Sequence, residues 1–202
     1  REQASALEFG RTPEKLSNEL YRWRLDDPFS RTLEMDIVHG TLELKADWSS
    51  SVDLLSRKEI PNPTQLTGEM RTLLRNANIL SPDIATATPT ITYVRAIGGE
   101  LRPAASISDA DFVQLDLWRE VPGGFPTVTS ERGHGVVRVM FSGSRQKGER
   151  VLLLESKYYP VLWSTVETYP PQPASMALQA LQAGGGYITS PIQGDTATIR
   201  KV

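Results

Sequence analysis

Residues 129–160 read "TSERGHGVVRVMFSGSRQKGERVLLLESKYYP" and hold His134, one of only two histidines in the chain. Ser130 and Glu131 lie just before it, and Gly133 and Gly135 flank it. A hydroxyl, an imidazole and a carboxylate are the groups of nucleophilic catalysis, in which the imidazole takes the proton and the acid orients the ring. Residues this close in sequence rarely form such a triad, and no G-x-S-x-G elbow is present. Asp111 and Asp116 are examples of a carboxylate that could serve as the acid. As a metal ligand His134 would need partners, and the other histidine, His39, falls in a hairpin turn far away in the chain. No spacing resembles a zinc site. His134 therefore reads as a loop histidine, and neither a metal nor a cofactor is expected.

The loop "SGSRQKG" (142–148) carries Arg145 and Lys147 between two glycines. Converging backbone N–H groups and two cations would make a weak anion site. A strand pattern follows where a phosphate loop would need a helix, so a solvated hairpin tip is favoured. Glu34, Asp36 and Glu43 form an acidic face in "RTLEMDIVHGTLELKAD". Paired carboxylates can do acid–base work, but on a one-sided hairpin they are expected to be its wet face. Arg71 and Arg75 share a helix face, and "RLDDPF" lacks the remaining ligands of a calcium loop.

Two segments suit protein contact. The first is the long irregular stretch 122–135, with Phe125, Arg132 and His134 as contact residues. Structureless loops of that length are often functional. The second is "YYPVLWSTVETYPP", which gathers Tyr158, Tyr159, Trp163 and Tyr169 among prolines. Aromatic side chains are favoured at interfaces.

The elements that must position these residues follow from periodicity. "RTPEKLSNELYRWRL" predicts a helix over 11–25: Thr12 as N-cap, Pro13 at the first helical position, and Leu16, Leu20 and Trp23 on one face. Leu33, Met35 and Ile37, then Leu42 and Leu44, alternate with acids around His39-Gly40 and predict a hairpin. "NPTQLTGEMRTLLRNANIL" predicts the clearest helix, with Leu66, Met70, Leu73, Leu74 and Ala77 on one side. "SSSVDLLSRKE" suggests a short helix. Strands are expected in "TITYVRAI", "DFVQLDLWREV", "GVVRVMF" and "ERVLLLES", a helix in "PASMALQALQAGGGY", and a last strand pair in "YITS" and "TATIRKV". The fold class expected is α+β, a mainly antiparallel sheet with about three amphipathic helices. It forms one domain over 1–202, with a helix–hairpin–helix portion at 11–80 and a β-rich portion at 89–202.

Composition narrows the function. Of 202 residues 39% are hydrophobic and 23% charged, a globular balance, and the net charge of −2 draws the chain to neither nucleic acid nor an anionic membrane. The absence of cysteine excludes disulfides and thiolate chemistry. No apolar run is long enough for a membrane helix. The chain starts without methionine, which suggests a removed leader or an upstream anchor and tilts the compartment towards envelope, periplasm or virion.

The expectation is a non-enzymatic protein–protein interaction or assembly module that binds a protein partner or itself. It would be a subunit or extracytoplasmic domain of a larger bacterial envelope, secretion or virion complex. The alternatives are a small-ligand-binding β-rich domain with 122–135 as a lid, and a hydrolase or lyase using His134 with a carboxylate.

Overall fold

A computed structural model describes residues 2–10, 12–26, 28–51, 54–55, 59–119, 129–131, 133–146, 148–161, 170 and 172–185. The chain divides into two compact units, Arg1–Pro160 and Val161–Val202.

In the first unit, nine strands among the described residues form a single sheet. In chain order they are β1 (Glu14–Lys15), β2 (Leu20–Leu25), β3 (Arg31–Asp36), β4 (Thr41–Ala46), β5 (Thr90–Ile97), β6 (Glu100–Pro103), β7 (Phe112–Leu117), β8 (Val137–Ser142) and β9 (Val151–Ser156). The spatial order is β1-β2-β3-β4-β9-β8-β7-β5-β6. Every pairing is antiparallel. The fold is thus α+β with one antiparallel sheet, and the helices beside it are few: α1 (Glu2–Ala6), α2 (Pro63–Asn76) and α3 (Pro82–Ala85).

Helix α2 behaves as its spacing predicts. Asn62 caps it, its side chain accepting from Gln65 N at 2.9 Å. Leu66, Met70, Leu74 and Ala77 are all fully buried. They lie in one cluster with Leu33, Met35, Leu42 and Leu44 of the β3–β4 hairpin and with Val113, Leu115, Val137, Val139 and Leu154 of β7, β8 and β9. Each such side chain stabilises by about 1.5–3 kcal/mol relative to exposure. A second, smaller cluster contains Phe29, Leu54, Val94, Phe112, Met140 and Leu152. There Trp48 meets the Phe112 ring edge-on at 5.5 Å. Val139 and Met140, adjacent along β8, belong to different clusters, so the middle of the sheet carries core on both faces.

Two expectations need correction. The helix expected over 11–25 is instead β1 and β2. Leu16, Leu20 and Trp23 fit a helical stripe, but Tyr21, Trp23 and Leu25 also alternate with Arg22 and Arg24, and all three pack against the main core. Pairing decides between the two periods: β2 zips to β3 along its whole length, Leu20 opposite Asp36 through Leu25 opposite Arg31. Ser17 seals the turn before it, accepting from the Glu19 and Leu20 N–H groups. The β3–β4 hairpin forms as expected, but β3 stops at Asp36, so Ile37 and Val38 belong to a four-residue turn and are exposed. Asp36 ends the strand by accepting from the Val38 and His39 N–H groups.

The strands expected in "TITYVRAI", "DFVQLDLWREV", "GVVRVMF" and "ERVLLLES" are present as β5, β7, β8 and β9, and β6 is added beyond the Gly98-Gly99 turn. In the 51–58 segment only Leu54 and Leu55 are described as helical. The second unit contains α4 (Ala174–Gln182), closed where Gly184 takes φ +83° and Gly185 N donates to Ala180 O. The strand pair expected at 187–190 and 196–202 lies outside the described residues.

Candidate functional site

The antiparallel register lays a row of charged residues straight across the sheet. Arg22 faces Glu34, Glu34 faces Glu43, Glu43 faces Glu155, Glu155 faces Arg138, and Arg138 faces Asp116. Beside the middle of this row, where the chain approaches β8 and leaves β9, lies a recess of about 250 Å³. His134, Glu155, Lys157, Arg119 and Tyr159 are among its walls.

Two glycines aim the histidine. Gly133 takes φ +80°, a conformation glycine adopts at no steric cost. Gly135 lies so close to β7 that a Cβ there would fall 2.4 Å from the Leu117 carbonyl oxygen. That approach lets Gly135 N donate to Asp116 Oδ1 at 2.9 Å. Asp116 also receives Arg138 Nε at 2.8 Å on Oδ1 and Gln114 Nε2 at 2.8 Å on Oδ2. The buried carboxylate thus has its charge matched and both oxygens bonded.

The His134 ring is held between opposite charges. Its Nδ1 lies 2.8 Å from Glu131 Oε2 and 3.9 Å from Glu155 Oε2. Nη1 of Arg138 sits 2.7 Å from both ring nitrogens. A guanidinium can only donate. Glu131 can only accept, so we assign the proton to Nδ1, which leaves Nε2 as the ring nitrogen that accepts from Arg138. Asp111 and Asp116, the acids offered as partners for His134, are not in contact with the ring. Asp111 accepts from Ala96 N at 2.9 Å, and Asp116 reaches the ring only through Arg138. The acid that does orient His134 is Glu131, one helical-turn distance before it in sequence.

Most of the other charges are closed into pairs, and Glu155 is the exception. Lys157 Nζ bonds Glu131, which holds the Glu131 carboxyl below its ordinary range and raises the Lys157 ammonium. Burial pushes the Glu155 carboxyl upward. A hydrogen bond that the protonated Glu155 carboxyl donates to Glu43, and the Glu43 charge, add to that, while Arg138 and Lys157 pull the other way. Arg119 Nε pairs with Asp83 Oδ2 at 2.8 Å, and its guanidinium covers the Tyr158 ring at 4.6 Å. Tyr158 donates its hydroxyl proton to Asp83 Oδ1 at 2.8 Å. Arg119 also donates to the Tyr159 carbonyl, and Tyr159, 52% exposed, lines the recess.

Of the contact residues expected from sequence, His134 and Tyr159 thus meet at one recess, with Tyr158 fixed behind it. Phe125, Arg132, Trp163 and Tyr169 lie outside the described residues, as does Lys147. Arg145 belongs to a different recess, 3.8 Å from Glu59. In its hairpin tip the Ser144 and Gln146 N–H groups are bound by the Ser142 and Ser144 hydroxyls. Sequence reasoning missed Arg119 and Asp83, because nothing in spacing relates two charges that only folding brings together. It also missed one group at the far hairpin tip: Glu19, Asp36 and His39 each bring a ligand atom within 4.8 Å of the others. His39 Nδ1 is 2.8 Å from Asp36 Oδ2 there, which raises the His39 pKa, while the bond from the His39 backbone N–H, followed by the ring contact, lowers that of Asp36.

No family model, curated protein or solved structure matches this chain. Among the described residues, no helix is long and apolar enough to cross a membrane.

Proposed function

We propose that the chain is a protein-interaction module, a subunit of a larger assembly, whose contact surface is the recess at His134 and Tyr159. One observation carries this reading. Two residues from separate segments, each suited to interface contact, meet at one mouth, and the Tyr159 ring stands exposed over a floor of charges already paired with one another. A rigid aromatic anchor above neutralised charge gives a partner surface to bury without stranding an ion.

The test places a photo-crosslinking amino acid at position 159 in the native host, with light scattering on the purified chain. The reading expects one defined cross-linked product, a partner or a second copy, that is lost in His134→Ala. A chain that stays monomeric and forms no product from position 159 overturns it.

A second reading, acid–base chemistry at His134, has the Glu131 contact in its favour: a carboxylate 2.8 Å from Nδ1 is how a catalytic imidazole is oriented. Against it, the nitrogen that would take the proton accepts from Arg138. Hydrolysis of a panel of nitrophenyl esters that disappears in His134→Gln would replace the interaction reading with this one.

A further inference from the structure

A second recess, of about 300 Å³, opens where the end of α1, the start of β3, helix α2 and the β8–β9 turn meet. Its floor is hydrocarbon: Leu7, Leu44 and Phe141 are buried, and Leu73 and Val151 are half-buried beside them. Three arginines line it: Arg145 is exposed, and Arg31 and Arg150 stand in its wall in different states. Arg150 is fully engaged. Its Nε and Nη2 both donate to Glu69 Oε2, at 2.9 and 2.6 Å, and its Nη1 donates to the Ser142 carbonyl.

Arg31 is the opposite case. Its residue exposure is only 6%. Its ion pair is a single long contact, Nη1 to Glu8 Oε2 at 3.4 Å, and its guanidinium lies 5.7 Å from the centre of the Phe9 ring. The buried Nε has no hydrogen-bond partner among the described residues. Leaving a buried donor unmade costs about 1–3 kcal/mol, and more for a charged group. A cation kept in this condition beside an open apolar recess is a half-built anion site.

We infer that this recess binds a small amphipathic monocarboxylate, its carboxylate on Arg31 and its apolar body on the Leu7–Leu44–Phe141 floor. Arg31 lines the recess, and a guanidinium is the planar donor fork that matches a carboxylate. The hydrocarbon floor excludes a free phosphate or sulfate, whose oxygens would all need water or donors. Arg145 has Glu59 at 3.8 Å and Arg150 is held by Glu69, so Arg31, met by the long contact to Glu8, is the cation that a single carboxylate would engage. The volume sits at the low end of ligand pockets, about 300–1,000 Å³, and limits the body to a short chain. The exposed Arg145 steers the anion in. This inference stands apart from the interaction surface at His134 and draws on none of its residues.

Calorimetric titration of the intact chain with butyrate, hexanoate and octanoate tests it, with octanol and inorganic phosphate as controls. The expected result is affinity rising with chain length, and octanol and phosphate each at least tenfold weaker than octanoate. Leu73→Trp, which fills the recess from the half-buried side of α2, should weaken octanoate at least tenfold with the circular dichroism spectrum unchanged. Arg31→Lys removes the fork and should weaken it similarly. Where that variant does not fold, Leu73→Trp and the octanol comparison decide. Octanol binding as tightly as octanoate, affinity untouched by Leu73→Trp, or no binding of any carboxylate at millimolar concentration overturns the inference.

Discussion

Two ion pairs lie in the same row across the sheet, joined by the same antiparallel register, and their settings differ. Arg22 and Glu34, between β2 and β3, are 2.6 Å apart with side chains 26% and 30% exposed. Arg138 and Asp116, between β8 and β7, are 2.8 Å apart with side chains 8% and 3% exposed. The strands that carry them explain the contrast. β3 alternates buried with half-buried positions, whereas every position of β8 is buried. On β2 and β3 only one face meets the core, and water solvates the other. On β7 and β8 both faces are covered, so a charge there must find its partners inside the protein. Chemistry read as an ion pair in both places is a solvated contact at one end of the row and a structural requirement at the other.

The comparison can be broken most sharply at its buried end. Asp116→Ala should cost about 3–5 kcal/mol, because it strands Arg138 without its carboxylate and leaves Gly135 N without its acceptor. Urea denaturation measures it, and a loss no larger than at Glu34 would remove the distinction. Gly135→Ala comes next, at about 1–3 kcal/mol, since the new Cβ would overlap the Leu117 carbonyl and push the approach to β8 off β7. Faster hydrogen exchange of the amide at position 135 would mark the lost bond to Asp116. At the solvated end, Glu34→Ala should cost at most about 1 kcal/mol, and that cost should shrink as salt is added.

The smallest effect sharpens the middle of the row. Glu155 has its pKa raised in the folded state by burial, with Glu43 opposite adding to it. A raised pKa means stability that is fully present below the ordinary glutamate value of about 4.5 and lost as pH rises through the folded value. Glu155→Gln keeps the neutral shape at every pH. The melting temperature of Glu155→Gln minus that of the parent should therefore increase from about pH 4 to pH 7. A flat or falling difference would place Glu155 with the solvated acids at Glu34.

Much of the fold was legible in the residues, for reasons that also show where legibility ends. Helix α2 was readable because five apolar residues recur on one stripe and Asn62-Pro63 starts it. The β3–β4 hairpin was readable because a short turn joins two alternating runs, and the β8–β9 hairpin because a glycine-bearing polar loop separates two apolar β-rich runs. The stretch 11–25 was misread because its apolar residues satisfy both a helical and a strand period. Its neighbour β3 chose between them, and that choice is tertiary. At the candidate site, Gly133 and Gly135 were visible as a pair of signals around His134. Glu131 was visible too, but its bond to the ring depends on a turn that spacing does not specify.

By itself, the sequence determined which faces of each strand and of α2 are apolar, because period and side-chain type are local properties. Only the tertiary structure decided that β4 pairs with β9, joining Leu42 to Ser156 and closing two hairpin groups into one sheet. Backbone hydrogen bonds are the same for every residue, so nothing in the residue types announces that contact. The same joining set Glu43 against Glu155, buried one arginine–carboxylate pair and left the other in water. The free energy of a charge depends on what covers it, and cover is a property of the assembled layers.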